Sequence, residues 1–165
     1  MLHNSMNCYN GYSGQERNRK QAAANREFVK GVKDHPCSTP PCMMCGDPDS
    51  KVAPHSEDYS KPYFFEPPYE YAVCTMCHSR IHRRFASPAS WEAYKMHLRR
   101  GGYGSDLKPG SVADMVKKLT RTLEAGSEFA LPPLPRDKNL SATEWWEQLS
   151  VDPRFIDDPS ARPRR

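Results

Sequence analysis

The chain has 165 residues, of which 37% are hydrophobic and 16 are proline, and it carries a formal net charge of +4. That length accommodates one domain with tails, and so low an apolar content argues against a single large core. No run of about 18 apolar residues exists to span a membrane, and the mild positive balance permits nucleic-acid binding without requiring it.

Residues 1–12 are polar and expected to be loosely attached. Residues 1–20 lack the apolar segment of a signal peptide, which predicts a cytoplasmic, intracellular protein whose thiols stay reduced. Ser13-Gly14-Gln15-Glu16 fits a capping box that opens a helix from about Gly14 to Val32. Its basic residues, Arg17, Arg19, Lys20, Arg26 and Lys30, read as a solvated face, with Phe28, Val29 and Val32 available to pin its end. Three prolines between Asp34 and Pro41 mark a linker.

Next comes Cys42-Met43-Met44-Cys45, then turn chemistry at Gly46 to Ser50. A short strand is expected at Lys51 to Pro54, followed by His55-Ser56-Glu57-Asp58-Tyr59. The proline-rich aromatic stretch from Pro62 to Tyr71 is incompatible with a central strand and reads as a packed loop. Tyr71-Ala72-Val73 is the strand that delivers the second pair, Cys74-Thr75-Met76-Cys77. A helix is expected to start near Cys77, because His78, Ile81, His82 and Phe85 recur at spacings of three and four. His78 and His82 then lie one turn apart on one face.

Ser87-Pro88 opens another helix with Trp91, Tyr94 and Leu98 as its buried stripe, closed by Gly101-Gly102. From Cys74 to Arg100 there are six basic residues, Arg80, Arg83, Arg84, Lys95, Arg99 and Arg100, against one acid, Glu92. They form a basic side next to the histidine helix, suited to a nucleic-acid backbone. Ser111 to Ala125 is patterned as an amphipathic helix, and Leu131 to Pro135 as a stiff linker. Ser141-Ala142-Thr143-Glu144 is a second capping box, before a short helix bearing Trp145, Trp146 and Leu149. Adjacent tryptophans point to different sides, so one packs back on the domain and the other is free to anchor a protein partner. Four regions follow: a tail and basic helix at 1–36, a metal-binding core at 37–104, an amphipathic helix packing on it at 105–128, and a linker, tryptophan helix and tail at 129–165.

Two C-x2-C pairs separated by 28 residues present four thiolates from two tight turns, the donor set of a closed tetrahedral zinc site. Four unrelated buried thiols are the plainer alternative, and the paired spacing argues against it. Cys8 and Cys37 fall outside the pattern, although Cys37 lies near enough to Cys42 to substitute as a ligand. The run Cys74-x2-Cys77-His78 also fits a haem-attachment motif, but that requires export and leaves Cys42 and Cys45 unexplained.

The order C-x2-C, then a histidine, then C-x2-C-H-x3-H resembles the zinc-stabilised HNH nucleases, the ββα-metal or His-Me finger group. The stretch from Pro54 to Pro62 is similar to the H-x-E-D-Y-S-x-P text of small phage and mobile-element HNH-like proteins. The likeness covers about residues 42–85. It implies an α+β fold, small and zinc-stapled: a ββα-metal, HNH-like and treble-clef-like core with flanking α-helices and irregular tails. It further implies a structural Zn2+ on Cys42, Cys45, Cys74 and Cys77. A separate catalytic ion, Mg2+ or Mn2+, would be held by His78 and His82, with His55 at the catalytic position and Glu57 and Asp58 as auxiliary oxygen ligands.

The chain departs from the family in two places. Only one histidine stands where many members have a pair, flanked by Pro54 and Ser56, and the asparagine that orients the base has no counterpart between Gly46 and Val73. Two functions therefore stand side by side: metal-dependent phosphodiester hydrolysis of DNA, or a non-catalytic zinc module that binds nucleic acid or a protein.

Overall fold

Two strands and a helix, consecutive in the chain, carry His55, Cys74, Cys77, His78 and His82, the candidate ligands apart from those of the first knuckle. A computed structural model of the chain describes residues 6–29, 32–108 and 144–152. Strand β1 (Val52–Ser56) pairs antiparallel with β2 (Glu70–Cys74), with His55 opposite Tyr71 and Val52 opposite Cys74. The strand expected to stop at Pro54 thus runs on through His55 and Ser56. Pro54 is tolerated because a two-stranded sheet consists only of edges, where a missing N–H need not break a ladder. Three α-helices complete the described fold, which is a small α+β arrangement.

Helix α1 (Gly14–Glu27) begins at the predicted capping box, with both reciprocal hydrogen bonds present. It ends five residues short of Val32. Phe28 leaves helical geometry and its ring turns onto His35 and Phe65, at centroid distances of 4.4 and 5.2 Å. Val29 and Val32 are 51% and 83% exposed and pin nothing. The basic face is not wholly solvated either. Lys20 is buried and donates to Ser56 Oγ at 2.5 Å and to the Asp58 carbonyl at 2.9 Å, tying α1 to β1.

Helix α2 (Thr75–Arg83) starts two residues before the expected Cys77, with Cys74 as its N-cap. The second C-x2-C pair therefore straddles the helix start, and the strand-to-helix switch brings its sulfurs together. Helix α3 (Pro88–Arg99) has the predicted proline start and buries Trp91, Tyr94 and Leu98. Ser87 makes no side-chain cap there and donates instead to Ser90 Oγ. The chain leaves α3 through Gly101, whose φ of 88° is the left-handed conformation that glycine adopts without cost.

The core groups Val73, Ile81, Phe85, Trp91, Tyr94 and Leu98 with the knuckle cysteines and Trp146. Trp146 belongs to the short helix expected there, a 3-10 turn over Trp145–Gln148. It is the tryptophan that packs back, at 1% exposure. Trp146→Ala is expected to lower the unfolding free energy by about 3–5 kcal/mol, the usual cost of deleting a buried indole, read as a shifted midpoint in urea.

Residues 6–12 are not loosely attached. Tyr9 and Tyr12 are buried and exchange backbone hydrogen bonds at 2.9 Å across an Asn10-Gly11 turn, with both turn residues at positive φ. The predicted amphipathic helix at 111–125 and linker at 131–135 lie outside the described residues, as does most of the second capping box. Among the described residues no helix is long and apolar enough to cross a membrane.

Candidate metal centres

The first knuckle is a tight turn, closed by the Gly46 N–H donating to the Cys42 carbonyl, with Gly46 at φ 74°. The Met43 N–H donates to the Ala72 carbonyl at 2.7 Å, which clamps this turn onto β2. The sulfurs of Cys42, Cys45, Cys74 and Cys77 consequently lie within 4.8 Å of one another, and all four residues are buried. Cys42 and Cys77 Sγ are 3.7 Å apart, and Cys45 and Cys74 Sγ 3.9 Å. These separations are far too long for disulfides. A tetrahedron with metal–sulfur bonds of about 2.3 Å has edges of about 3.8 Å, and these two separations match such edges.

The surroundings also favour a bound metal. The Cys74 N–H donates to Cys42 Sγ at 3.2 Å, and Tyr94 Oη lies 3.1 Å from Cys77 Sγ. A Cβ at Gly104 would stand 3.1 Å from Cys74 Sγ and 2.9 Å from the Tyr94 hydroxyl, which explains a glycine at that point. Cys37 is not part of this cluster. Its thiol is buried, 3.3 Å from the Glu70 carbonyl, and burial pushes its pKa up to about 11.

The second cluster joins β1 to α2. Ring nitrogens of His55, His78 and His82 lie within 4.8 Å of one another. His78 and His82 face each other across one helical turn, their Nε2 atoms 3.0 Å apart. Burial first, and the neighbouring His55 next, hold the His78 pKa down to about 4 and that of His82 to about 3. Both rings are therefore neutral at pH 7, as metal ligands must be.

His55 is fixed from behind. Its Nε2 is 2.7 Å from Glu57 Oε1. Glu57 accepts from Tyr9 Oη at 2.5 Å and from Arg84 Nη2 at 2.8 Å. Burial opposes the Glu57 charge, but His55, Arg84 and Tyr9 together outweigh it and hold the pKa down to about 2. An ionised carboxylate accepts the proton of Nε2, so the network assigns the lone pair to Nδ1. That Nδ1 is buried and has no hydrogen-bond partner. The facing nitrogens of His78 and His82 suit a borderline divalent metal ion, and the orphaned Nδ1 of His55 stands beside them with a lone pair free to accept a proton.

Glu57 therefore orients His55 and is not among the clustered ligand atoms. Asp58 is turned away as well: its carboxylate accepts from Tyr12 Oη at 2.7 Å and from Ser60. The predicted basic side also needs correction. Arg84 is 1% exposed, and besides Glu57 it binds Tyr9 Oη and the carbonyls of Ile81 and Ser150. Lys95 is buried between Glu92 and Glu147, and Arg99 pairs with Glu147. Arg80 lies over the Tyr94 ring at 5.6 Å, and Arg83, Arg99 and Arg100 are the exposed members of the set, Arg99 already paired with Glu147. Three of the six cations meet acids within the fold because Glu57 and Glu147 are brought to them from distant parts of the chain.

Trp145 stacks on Tyr71 at 3.8 Å, donates to the Met43 carbonyl at 3.1 Å, and lies 6.3 Å from the His55 ring. The tryptophan offered to a partner thus spans the cysteine knuckle and the histidine strand. Sequence reasoning also missed Tyr9, although Asn-Gly between two tyrosines is a tight-turn signal.

The pair of buried Arg84 and partly buried Glu57 makes a separate prediction. Arg84→Met leaves the Glu57 carboxylate without its cation and is expected to cost about 2–3 kcal/mol, below the range for a fully buried pair because Glu57 keeps some contact with water. Pairing it with Glu57→Gln should restore part of that loss, as read by a double-mutant cycle in urea.

Comparison of the chain with protein families, with curated proteins and with solved structures finds no match.

Proposed function

We propose that this chain is an HNH-like, metal-dependent nuclease that hydrolyses phosphodiester bonds in DNA, with a structural zinc on its four cysteines. The observation that carries the reading is the His55 ring: one nitrogen clamped by an ionised Glu57, the other buried, unpartnered and beside His78 and His82. Support also comes from the order of elements, with His55 on the first strand of a hairpin and the other two histidines on the helix that follows. That is the layout of the family the motif resembles.

His78 and His82 would hold the catalytic ion through their facing nitrogens. A divalent ion there supplies Lewis acidity at the phosphate and the leaving oxygen. His55 Nδ1 accepts a proton from the attacking water as its oxygen bonds to phosphorus and the bond to the leaving sugar oxygen breaks. Glu57 stabilises the imidazolium so formed, the orienting part that the family gives to an asparagine. Arg84 and Tyr9 keep Glu57 ionised and in place. A ligand pair of two imidazoles favours transition-metal ions over Mg2+, which prefers oxygen donors. Nicking should therefore be stronger with Mn2+ or Co2+ than with Mg2+.

Incubation with supercoiled plasmid and each ion tests the reading, beside a His55→Ala/His82→Ala double variant. The wild-type protein is expected to nick and the double variant to be inert. Nicking that survives both substitutions contradicts the site. Salt-sensitive DNA binding without nicking by the wild type would favour the non-catalytic module.

A further inference from the structure

A cavity of about 360 Å3 opens beside the histidine cluster, with Arg17, His82, Tyr9 and Phe85 in its wall and Met6, Asn7 and Cys8 on the same lining. This volume falls near the lower end of small-ligand sites, about 300–1,000 Å3. One end of its chemistry is cationic and imidazole, the other apolar and aromatic. A double helix is too broad to enter, whereas one nucleotide unit is not.

Arg17 distinguishes this cavity from a packing gap. Its guanidinium makes no ion pair among the described residues, unlike Arg84, Lys95 and Arg99. Its Nη1 donates to the Asn7 carbonyl at 2.7 Å, while its Nε is buried and has no partner. The group lies over the rings of Tyr9 and Tyr59, at 5.1 and 5.4 Å. The Tyr9 ring in turn packs on His82 at 4.2 Å. The stack thus places a cation, hydrogen-bonded to Asn7 and Tyr59 but with its Nε unpartnered, on the same cavity as a proposed metal ligand. A planar guanidinium without an acid partner is shaped for a phosphate.

We infer that this cavity is a single-nucleotide subsite in which Arg17 binds a phosphate of a single-stranded nucleic acid next to the histidine cluster. The inference rests on the catalytic reading of His55, His78 and His82 and adds the class of substrate. A strand with unpaired, unstacked nucleotides can place one unit in the cavity, whereas an intact duplex must first extrude one. Single strands, frayed ends and loops are therefore the preferred substrates. Arg17 acts here as a binding residue and not as a catalytic one.

Cys8 provides a readout that needs no activity. It is half-exposed on the cavity wall, whereas the other five cysteines are buried. Alkylation of Cys8 by a maleimide, followed by mass spectrometry on the intact metal-bound protein, should slow when the cavity is filled. The probes are an eight-residue thymidine oligonucleotide, the same sequence in a duplex, thymidine 5′-monophosphate, and thymidine.

The expected result is protection by the single strand and by the monophosphate, with duplex and thymidine at least tenfold weaker. Arg17→Met should raise the concentration of single strand needed for half-protection at least tenfold. Equal protection by duplex and single strand, equal protection by thymidine and its monophosphate, no effect of Arg17→Met, or no protection at all would each overturn the assignment. The comparison of probes uses the wild-type chain, so it stands even if Arg17→Met fails to fold. Plasmid nicking measured on the same sample separates the two ideas. Protection without nicking defeats the catalytic reading and leaves the nucleotide subsite, while nicking without selective protection does the reverse.

Discussion

Stripping metal from the proposed four-cysteine site is expected to unfold the protein. Cys42, Cys45, Cys74 and Cys77 are at most 3% exposed and sit within the main hydrophobic cluster. Through them the first knuckle, the end of β2 and the start of α2 are fastened at one point. A structural zinc contributes on the order of 10–16 kcal/mol of binding free energy at neutral pH, against a total stability of about 5–15 kcal/mol for an ordinary domain. The apolar core alone is too small to make up that difference. A strong chelator, or Cys74→Ser with Cys77→Ser, should abolish the cooperative thermal transition seen by circular dichroism. Returning zinc to the chelated wild type should restore it, and to the serine variant should not. A transition that persists unchanged in excess chelator would remove zinc from the account.

The second large effect concerns the pair His55 and Glu57. His55→Ala is expected to reduce the nicking rate about 10²- to 10⁴-fold, the range for losing a positioned general base. Glu57→Gln leaves the imidazole in place but removes the charge that fixes its tautomer and stabilises its protonated form. Loss of such an orienting carboxylate typically costs about 10- to 100-fold. The order of the two losses matters: Glu57→Gln should be intermediate, with the zinc content of both variants unchanged. Equal activity of wild type and Glu57→Gln would show that the 2.7 Å contact with His55 plays no part in the chemistry.

Local spacing foretold what local geometry decides. The two C-x2-C pairs, the one-turn separation of His78 and His82, and the apolar stripe of α3 are each set within a few residues, and all three appear as expected. What periodicity did not convey are contacts between residues far apart in the chain. Arg84 reaches Glu57 across 27 positions, and Arg99 reaches Glu147 across 48. Read alone, the arginines of α2 and α3 looked like a surface for phosphates. In the fold, Arg84 is itself buried and holds the partly buried Glu57 carboxylate, while Lys95 and Arg99 anchor the Trp145–Gln148 turn through Glu147. Tyr9 was hidden for the same reason, since its role depends on Glu57, 48 residues away. Glu57 is a related case: its place beside His55 in the sequence suggests an oxygen ligand, whereas the fold turns it onto His55 Nε2 at 2.7 Å.

Cobalt titration of metal-free protein, followed by absorption, tests most directly whether the chain holds two distinct metal centres. The four sulfurs and the three imidazoles form separate clusters. The first equivalent should therefore bring intense sulfur-to-metal charge transfer, and a second should add weaker bands without it. His78→Ala with His82→Ala should erase only the second phase. Saturation of the wild type by a single equivalent, or loss of the sulfur bands when the histidines are replaced, would contradict the account.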